Sequence, residues 1–231
     1  MPDRSAPRRD TLALTMAGSS IVLYAERAVG VPAHNALLIA DVHLGKAMTM
    51  RAHGVPVPPG GTSADLARLD QVLARSGASH LYVLGDLVHS RHAWHPRALA
   101  SFTAWRASHP ALAITLVRGN HDAHGGDPPA ALGIDVVMPP HPLAPFALQH
   151  EPPAHPRDAA PSIFGHLHPS LAIAGRARQR VRLPCFVQRQ GSLLLPAFTA
   201  FTGGGAWQPA PGDVPYLIAE DEIVPVPFTS L

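Results

Sequence analysis

Cysteine is nearly absent. Cys185 is the only one in 231 residues, so neither an intramolecular disulfide nor a thiolate metal cage can form. That usage fits a reducing compartment. Charge is also sparse: Asp, Glu, Lys and Arg make up 15% of the chain and the formal net charge is +2. A disordered tail would carry more charge, and a balance this small does not by itself mark a nucleic-acid binder. Aromatic residues are few, with three Trp, three Tyr and seven Phe, so a base-stacking platform has little material. No apolar run is long enough to span a membrane. Hydrophobic residues reach 46%, enough to bury a core, and the length suits one domain, taken here as residues 1–231.

Arg8 and Arg9 precede a mildly apolar stretch, Thr11 to Ala25, which looks somewhat like a twin-arginine export signal. Thr11, Thr15, Ser19, Ser20 and Tyr24 make it a poor apolar region, and Ile21–Tyr24 reads better as a strand. The expected location is the cytoplasm.

Ala36–Ala40, Leu81–Leu84 and Ala113–Val117 are short apolar runs and read as buried strands. Between them lie two helical patterns. One runs from about Ala64 to Arg75, with Thr62 or Ser63 as cap, Leu66, Leu69 and Leu73 on one face, and Gly77 as the stop. The other runs from about Pro96 to Ser108 and turns Leu99, Phe102 and Trp105 inward. Alternating strand and helix predict an α/β layer. Beyond Gly133 the pattern is short strands separated by many of the 26 prolines: 134–138, 146–149, 162–164, 171–174, 185–188, 192–195, 216–219 and 223–226. They predict a largely antiparallel sheet packed against the first.

Histidine is over-represented, at 15 residues, and it is the commonest metal ligand. Polar clusters follow the strands: Asp41-Val42-His43, Gly85-Asp86, Gly119-Asn120-His121-Asp122, His150-Glu151 and Gly165-His166-Leu167-His168. Ligands gather outside the carboxyl ends of strands in open α/β sheets. Residues two apart at a strand end face one side, so Asp41 and His43, or His166 and His168, can converge while Val42 returns to the core. Gly85, Gly119 and Gly165 each precede a candidate ligand and allow close backbone approach there. Oxygen and imidazole donors without thiolate suit manganese, iron or zinc. Two such ions about 3.5–4 Å apart can clamp the attacking and leaving oxygens of a phosphoryl displacement and lower the pKa of bound water towards ~7.

These motifs, in this order, resemble the calcineurin-like metallophosphoesterase superfamily. The resemblance covers Ala36 to His168. It implies a four-layer α/β/β/α sandwich of two mixed sheets and two divalent metal ions, most often Mn2+ with Fe or Zn as alternatives. Asp41, His43 and His168 would bind one metal, and Asn120, His150 and His166 the other, with Asp86 bridging. His121 would assist the leaving oxygen and Asp122 would orient His121.

A narrower resemblance, to the ligase-associated DNA-damage-response phosphoesterases, rests on DVHLGK from Asp41, Val55–Pro58, GDLVHS from Gly85, His150-Glu151-Pro152, GHLHP from Gly165 and Leu195–Phe198. It implies a manganese-dependent phosphodiesterase with DNA endonuclease activity in DNA repair, in which metal-activated hydroxide attacks phosphorus in line. It allows a homodimer and a functional link to a DNA ligase and a helicase.

Other readings stay open. His141, His155 and Glu151 compete with His150 for the second metal. His89, Arg91 and Arg118 are candidate substrate contacts, with His92 a further groove residue; the remaining histidines read as surface or packing groups. Arg176, Arg178, Arg180 and Arg182 alternate, forming either a solvated strand edge or a phosphate-tracking face. Phe201 to Gly205 reads as a flexible loop near the site, and Cys185 as core. A small-molecule phosphomonoesterase or a pyrophosphatase of nucleotide-linked lipid precursors is the alternative function, although no insertion between Asp86 and His150 is long enough to build a lid. A non-catalytic scaffold would be expected to lose ligand residues that are all present here.

Overall fold

The apolar runs at Ala36–Ile39, His80–Leu84 and Ala113–Val117 lack polar alternation because they are buried on both faces. In the computed structural model, which describes residues 10–57, 60–154, 160–174, 180–200, 205 and 207–226, they are the central strands of a seven-stranded sheet. Its strands are β1 (Thr11–Met16), β2 (Ser19–Tyr24), β3 (Ala28–Val31), β4 (Ala36–Ile39), β5 (His80–Leu84), β6 (Ala113–Val117) and β7 (Ile134–Val137), in sequence order. The first four form an antiparallel meander, while β4 to β7 run parallel. Parallel neighbours need crossovers, supplied by α1 (Lys46–Ala52) and α2 (Gly61–Ser76), then α3 (Pro96–Ser108), then the short α4 (Asn120–Gly125).

The second sheet holds β8 (His141–Leu143), β9 (Phe146–Leu148), β10 (Ser162–Phe164), β12 (Arg180–Arg189), β13 (Ser192–Leu194), β14 (Val214–Ala219) and β15 (Glu222–Pro225), in the order 15-14-12-13-10-9-8, while β11 (Ser170–Ala174) pairs with β12 beside that path. It is mixed rather than largely antiparallel, because β10 runs parallel to both β9 and β13. Ile134–Val137 also differs from expectation. It joins the first sheet, parallel to β6, since α4 and the turn after it carry the chain back across the layer.

Alternation along the central strands sorts the cores. Leu37, Ile39, Leu81, Val83, Ile114 and Leu116 face the helices, meeting Leu66, Leu69 and Leu73 of α2 and Leu99, Phe102 and Trp105 of α3. Each such leucine contributes roughly 1.5–3 kcal/mol through burial. Leu38, Tyr82, Leu84 and Val117 face the other way, onto Phe146, Leu148, Ile163, Phe186 and Tyr216 of the second sheet. The helix–sheet–sheet order of the expected sandwich is therefore present. On the outer face of the second sheet, Cys185, Val187, Leu194 and Leu217 are covered, among the described residues, by Leu171 and Trp207 rather than by a helix.

Helix α2 begins differently from its sequence signals. Its cap is Gly60, in the left-handed region with no side-chain cap bond, and Thr62 and Ser63 lie inside the first turn. The stop at Gly77 is left-handed as expected, at φ 63°. The stretch read against an export signal forms the β1–β2 hairpin. Among the described residues, no helix is long and apolar enough to cross a membrane.

Candidate metal centre

The carboxyl ends of β4, β5 and β6 lie side by side, so the segments after them are neighbours. The amide of Asp41 donates to the carbonyl of Gly85 at 3.1 Å, that of His43 to Asp86 at 2.8 Å and that of Leu44 to Leu87 at 2.8 Å. From the second sheet, the amide of Gly165 donates to the carbonyl of His150 at 3.1 Å, and the amide of His166 to Asp41 Oδ2 at 3.0 Å. Five distant segments thereby meet at one edge.

The backbone there is not extended. Asp41, His43, Asp86, His166 and His168 all have φ between 44° and 71°, a region that non-glycine residues seldom adopt and that tends to cluster at functional sites. Asp41 and His43 therefore converge through a left-handed turn, not through strand alternation, although Val42 still points into the core. The glycines are required by close approach. A Cβ on Gly119 would lie 2.5 Å from Asp86 Oδ1, one on Gly165 would lie 2.6 Å from Asp41 Oδ2, and one on Gly85 would strike the His150 ring.

The side chains form one continuous cluster. Donor atoms of Asp41, His43 and His168 lie within 4.8 Å of one another, as do those of Asp41, Asp86 and His150, and those of His43, His89 and His121. His168 Nε2 is 3.1 Å from Asp41 Oδ1. Asp86 faces both sides, with Oδ2 3.8 Å from His43 Nε2 and Oδ1 3.4 Å from His150 Nε2. Asn120 Oδ1 and His166 Nδ1 each lie 3.0 Å from His150 Nε2. His150 is 1% exposed, whereas His141 lies tilted against Tyr82, Glu151 is exposed, and His155 lies outside the described residues.

Electrostatics fit a cation. Asp41 and Asp86 are fully buried carboxylates, and buried charge needs a compensating charge. His43 Nδ1 is buried without a hydrogen-bond partner, and buried Asp41 Oδ1 forms no hydrogen bond, facing only the ring nitrogens of His168 and His150. Burial pushes the His43 imidazolium down to about 2, against the pull of Asp86, so this imidazole is neutral and ready to donate a lone pair. Burial also lowers His150, but the hydrogen bond and charge of Asp86 outweigh it and hold His150 up at about 9. Its Nδ1 donates to the Leu84 carbonyl at 2.9 Å, leaving Nε2 for the cluster. For Asp86, burial raises the carboxyl, and the bond and charge of His150 overcome this, so the net shift is downward. The residues present thus fit two divalent ions of the oxygen- and nitrogen-seeking kind.

His121 and Asp122 divide their work unexpectedly. The Asp122 carboxylate does not hold His121. It accepts from the amides of Asp86 at 2.7 Å, Gly119 at 2.9 Å and Val88 at 3.2 Å, so it positions the Asp86 turn. His121 is held instead by the His89 carbonyl, which accepts from Nδ1 at 3.0 Å, and its side chain is 38% exposed beside Asp86.

Of the substrate candidates, His89 joins the cluster, stacking on His121 at 5.1 Å between ring centroids. Arg118 pairs with Asp127 and lines a neighbouring cleft. Arg91 is exposed and outside the cluster. Lys46 ends the DVHLGK run, and its sequence context gives it no role. Burial is the main cause of its lowered pKa, opposed by Asp41 and Asp86, so its ammonium is within their field. Arg182 lines a separate cleft of about 720 Å3 with Arg27, Arg68 and Arg75, whose lining includes none of the cluster residues; Arg176, Arg178 and the loop 201–204 lie outside the described residues.

Comparison with known proteins agrees with this geometry. Residues 34–155 match the family model for calcineurin-like phosphoesterase. Among solved structures, the nuclease MPE of Pseudomonas putida is 43% identical, with a TM-score of 0.81 over 94% of this chain and 100% of that one. The phosphoesterase Yfce of E. coli is 19% identical, with a TM-score of 0.41 over 83% of this chain and 97% of that one. No curated protein matches. With a family model over more than half the chain and 43% identity to a nuclease across nearly all of it, the chain belongs to the calcineurin-like phosphoesterases and is a metal-dependent phosphoester hydrolase.

Proposed function

We propose that this protein is a phosphodiesterase that cuts DNA, using two divalent ions held by Asp41, His43 and His168 on one side and Asn120, His150 and His166 on the other, with Asp86 between them. The observation that carries the reading is the Asp86 carboxylate, whose two oxygens face the two imidazole groups separately. Divalent ions bound there supply Lewis acidity and an activated water. DNA as the substrate is supported by the 43% identity to a nuclease. We take manganese as the metal, the cytoplasm as the location and DNA repair as the setting. A homodimer and a functional link to a DNA ligase and a helicase follow from the narrower family resemblance.

The chain's own groups then have separate tasks. Lys46 adds positive charge beside the carboxylates, which favours an anionic phosphate. His121 is the proton donor to the leaving oxygen. A carbonyl only accepts hydrogen bonds, so the contact with His89 fixes a proton on His121 Nδ1, and Nε2 is the atom that exchanges a proton with substrate.

The test compares bis-p-nitrophenyl phosphate, p-nitrophenyl phosphate and circular DNA with added manganese. Cleavage of the diester and of DNA is expected. Cleavage of the monoester alone would establish the alternative, a small-molecule phosphomonoesterase.

A further inference from the structure

A second feature opens beside the candidate metal centre. It is a cleft of about 360 Å3 whose lining includes Asn120 and His150. A phosphate seated at the cluster therefore has one of its ester substituents next to this cleft. Its size is within the range of small-molecule sites.

The lining has a definite chemistry. Met138, Pro139 and Pro152 contribute flat apolar surface. Met138 is 69% exposed, the most exposed large apolar side chain among the described residues. With the two prolines it gives the cleft an apolar side on which a flat group can lie. Two residues of the lining each carry a buried side-chain nitrogen without a partner, Gln149 Nε2 and Arg118 Nε. Unpaired buried donors are rare in folded proteins and call for an acceptor.

A second phosphate fits this lining poorly. The Arg118 charge is already matched by Asp127, and Glu151 adds negative charge to the lining. What fits is neutral and planar, with apolar faces and acceptors at its edge. A nucleobase has that combination: faces that stack on Met and Pro, and carbonyl or ring-nitrogen acceptors for two donors.

We propose that this cleft binds the base of one nucleoside flanking the scissile phosphodiester, with Gln149 and Arg118 donating to its edge. The proposal rests on the phosphodiesterase reading of the adjacent centre. The protein would therefore favour nucleoside diesters over simple diesters of equal reactivity.

The experiment uses three substrates with one leaving group: thymidine 5′-(p-nitrophenyl) phosphate, its 3′ counterpart and methyl p-nitrophenyl phosphate. Each is assayed on the manganese-loaded protein by release of p-nitrophenolate. One of the two thymidine esters should exceed the methyl ester in kcat/KM by about tenfold or more. The ratio should fall towards one in Gln149→Leu, which removes a donor, and in Met138→Asp, which puts charge on an exposed rim position where the fold tolerates it. Equal use of all three esters by the wild type would overturn the proposal, as would a ratio that survives both variants. Failure to hydrolyse any of the three is a different result, which overturns the phosphodiesterase reading and the subsite with it.

Discussion

The carboxylate of Asp122 accepts a hydrogen bond from the backbone amide of Asp86 at 2.7 Å. Asp86 has φ 54°, and the same carboxylate also binds the amides of Val88 and Gly119. One buried side chain thus ties the β5 and β6 loops together and holds the cluster's central carboxylate in an uncommon backbone shape. Hydrogen bonds to a charged group contribute about 1.5–3 kcal/mol each. Asp122→Ala should therefore cost about 3 kcal/mol or more in urea unfolding of the metal-free protein and weaken manganese binding, read by calorimetric titration. Unchanged stability would show that these bonds do not hold the turn.

Gly119→Ala tests close approach alone, because Gly119 has φ −98° and any residue can adopt its backbone. The added Cβ would lie 2.5 Å from Asp86 Oδ1 and 2.6 Å from its amide nitrogen. Asp86 must then move. The expected result is loss of one or both bound ions by elemental analysis. Full metal content in this variant would contradict the geometry around Asp86.

His150 sets a proton balance. In the metal-free protein its pKa is held up at about 9 by the hydrogen bond and charge of Asp86 against burial, so at pH 7.5 it carries a proton that a metal must displace. Calorimetric titration in buffers of different ionisation enthalpy should show proton release on manganese binding at pH 7.5, fading as pH passes about 9. The same shift has a stability consequence. The folded pKa is above the ordinary imidazole value of about 6.5. The His150–Asp86 pair therefore contributes fully below about 6.5, and its contribution is lost as pH rises through about 9. Manganese uptake without proton release would contradict this account of His150.

Cys185 should be inert. It is 0% exposed in the outer core of the second sheet, and burial, with a smaller effect of Asp213, pushes its thiol up to about 12. The thiolate is the reactive form. A thiol reagent at pH 8 should label the unfolded protein and leave the folded protein unlabelled over the same period. Rapid labelling of the folded protein would show that the outer core opens.

Much of this was legible in the residues. Ala113–Val117 and Pro96–Ser108 have the expected bounds, the first because a strand buried on both faces is a continuous apolar run, the second because Leu99, Phe102 and Trp105 recur every three residues. The polar clusters were visible because their residue types recur after such runs. What was hidden depends on tertiary context. The strand Ala28–Val31 is only four residues long, too short for a period to show. The left-handed turns at Asp41, His43 and Asp86 are held by amide bonds between distant loops, which no local propensity encodes. The partners of Asp122 are hidden for the same reason: its carboxylate bonds amides of the β5 and β6 loops, and its neighbour His121 is not among them. The position of Lys46 near two carboxylates follows from the left-handed turn at His43 and Gly45.

In the proposed reading Asp86 joins two metal positions into one hydrolytic centre. The direct measurement is hydrolysis of bis-p-nitrophenyl phosphate by metal-depleted protein titrated with manganese, with bound ion counted at each step. No hydrolysis is expected before metal is added, and the rate should saturate at two bound ions per chain in the wild type and be lost in Asp86→Ala. Hydrolysis in excess chelator, or saturation at a single ion, would contradict that reading.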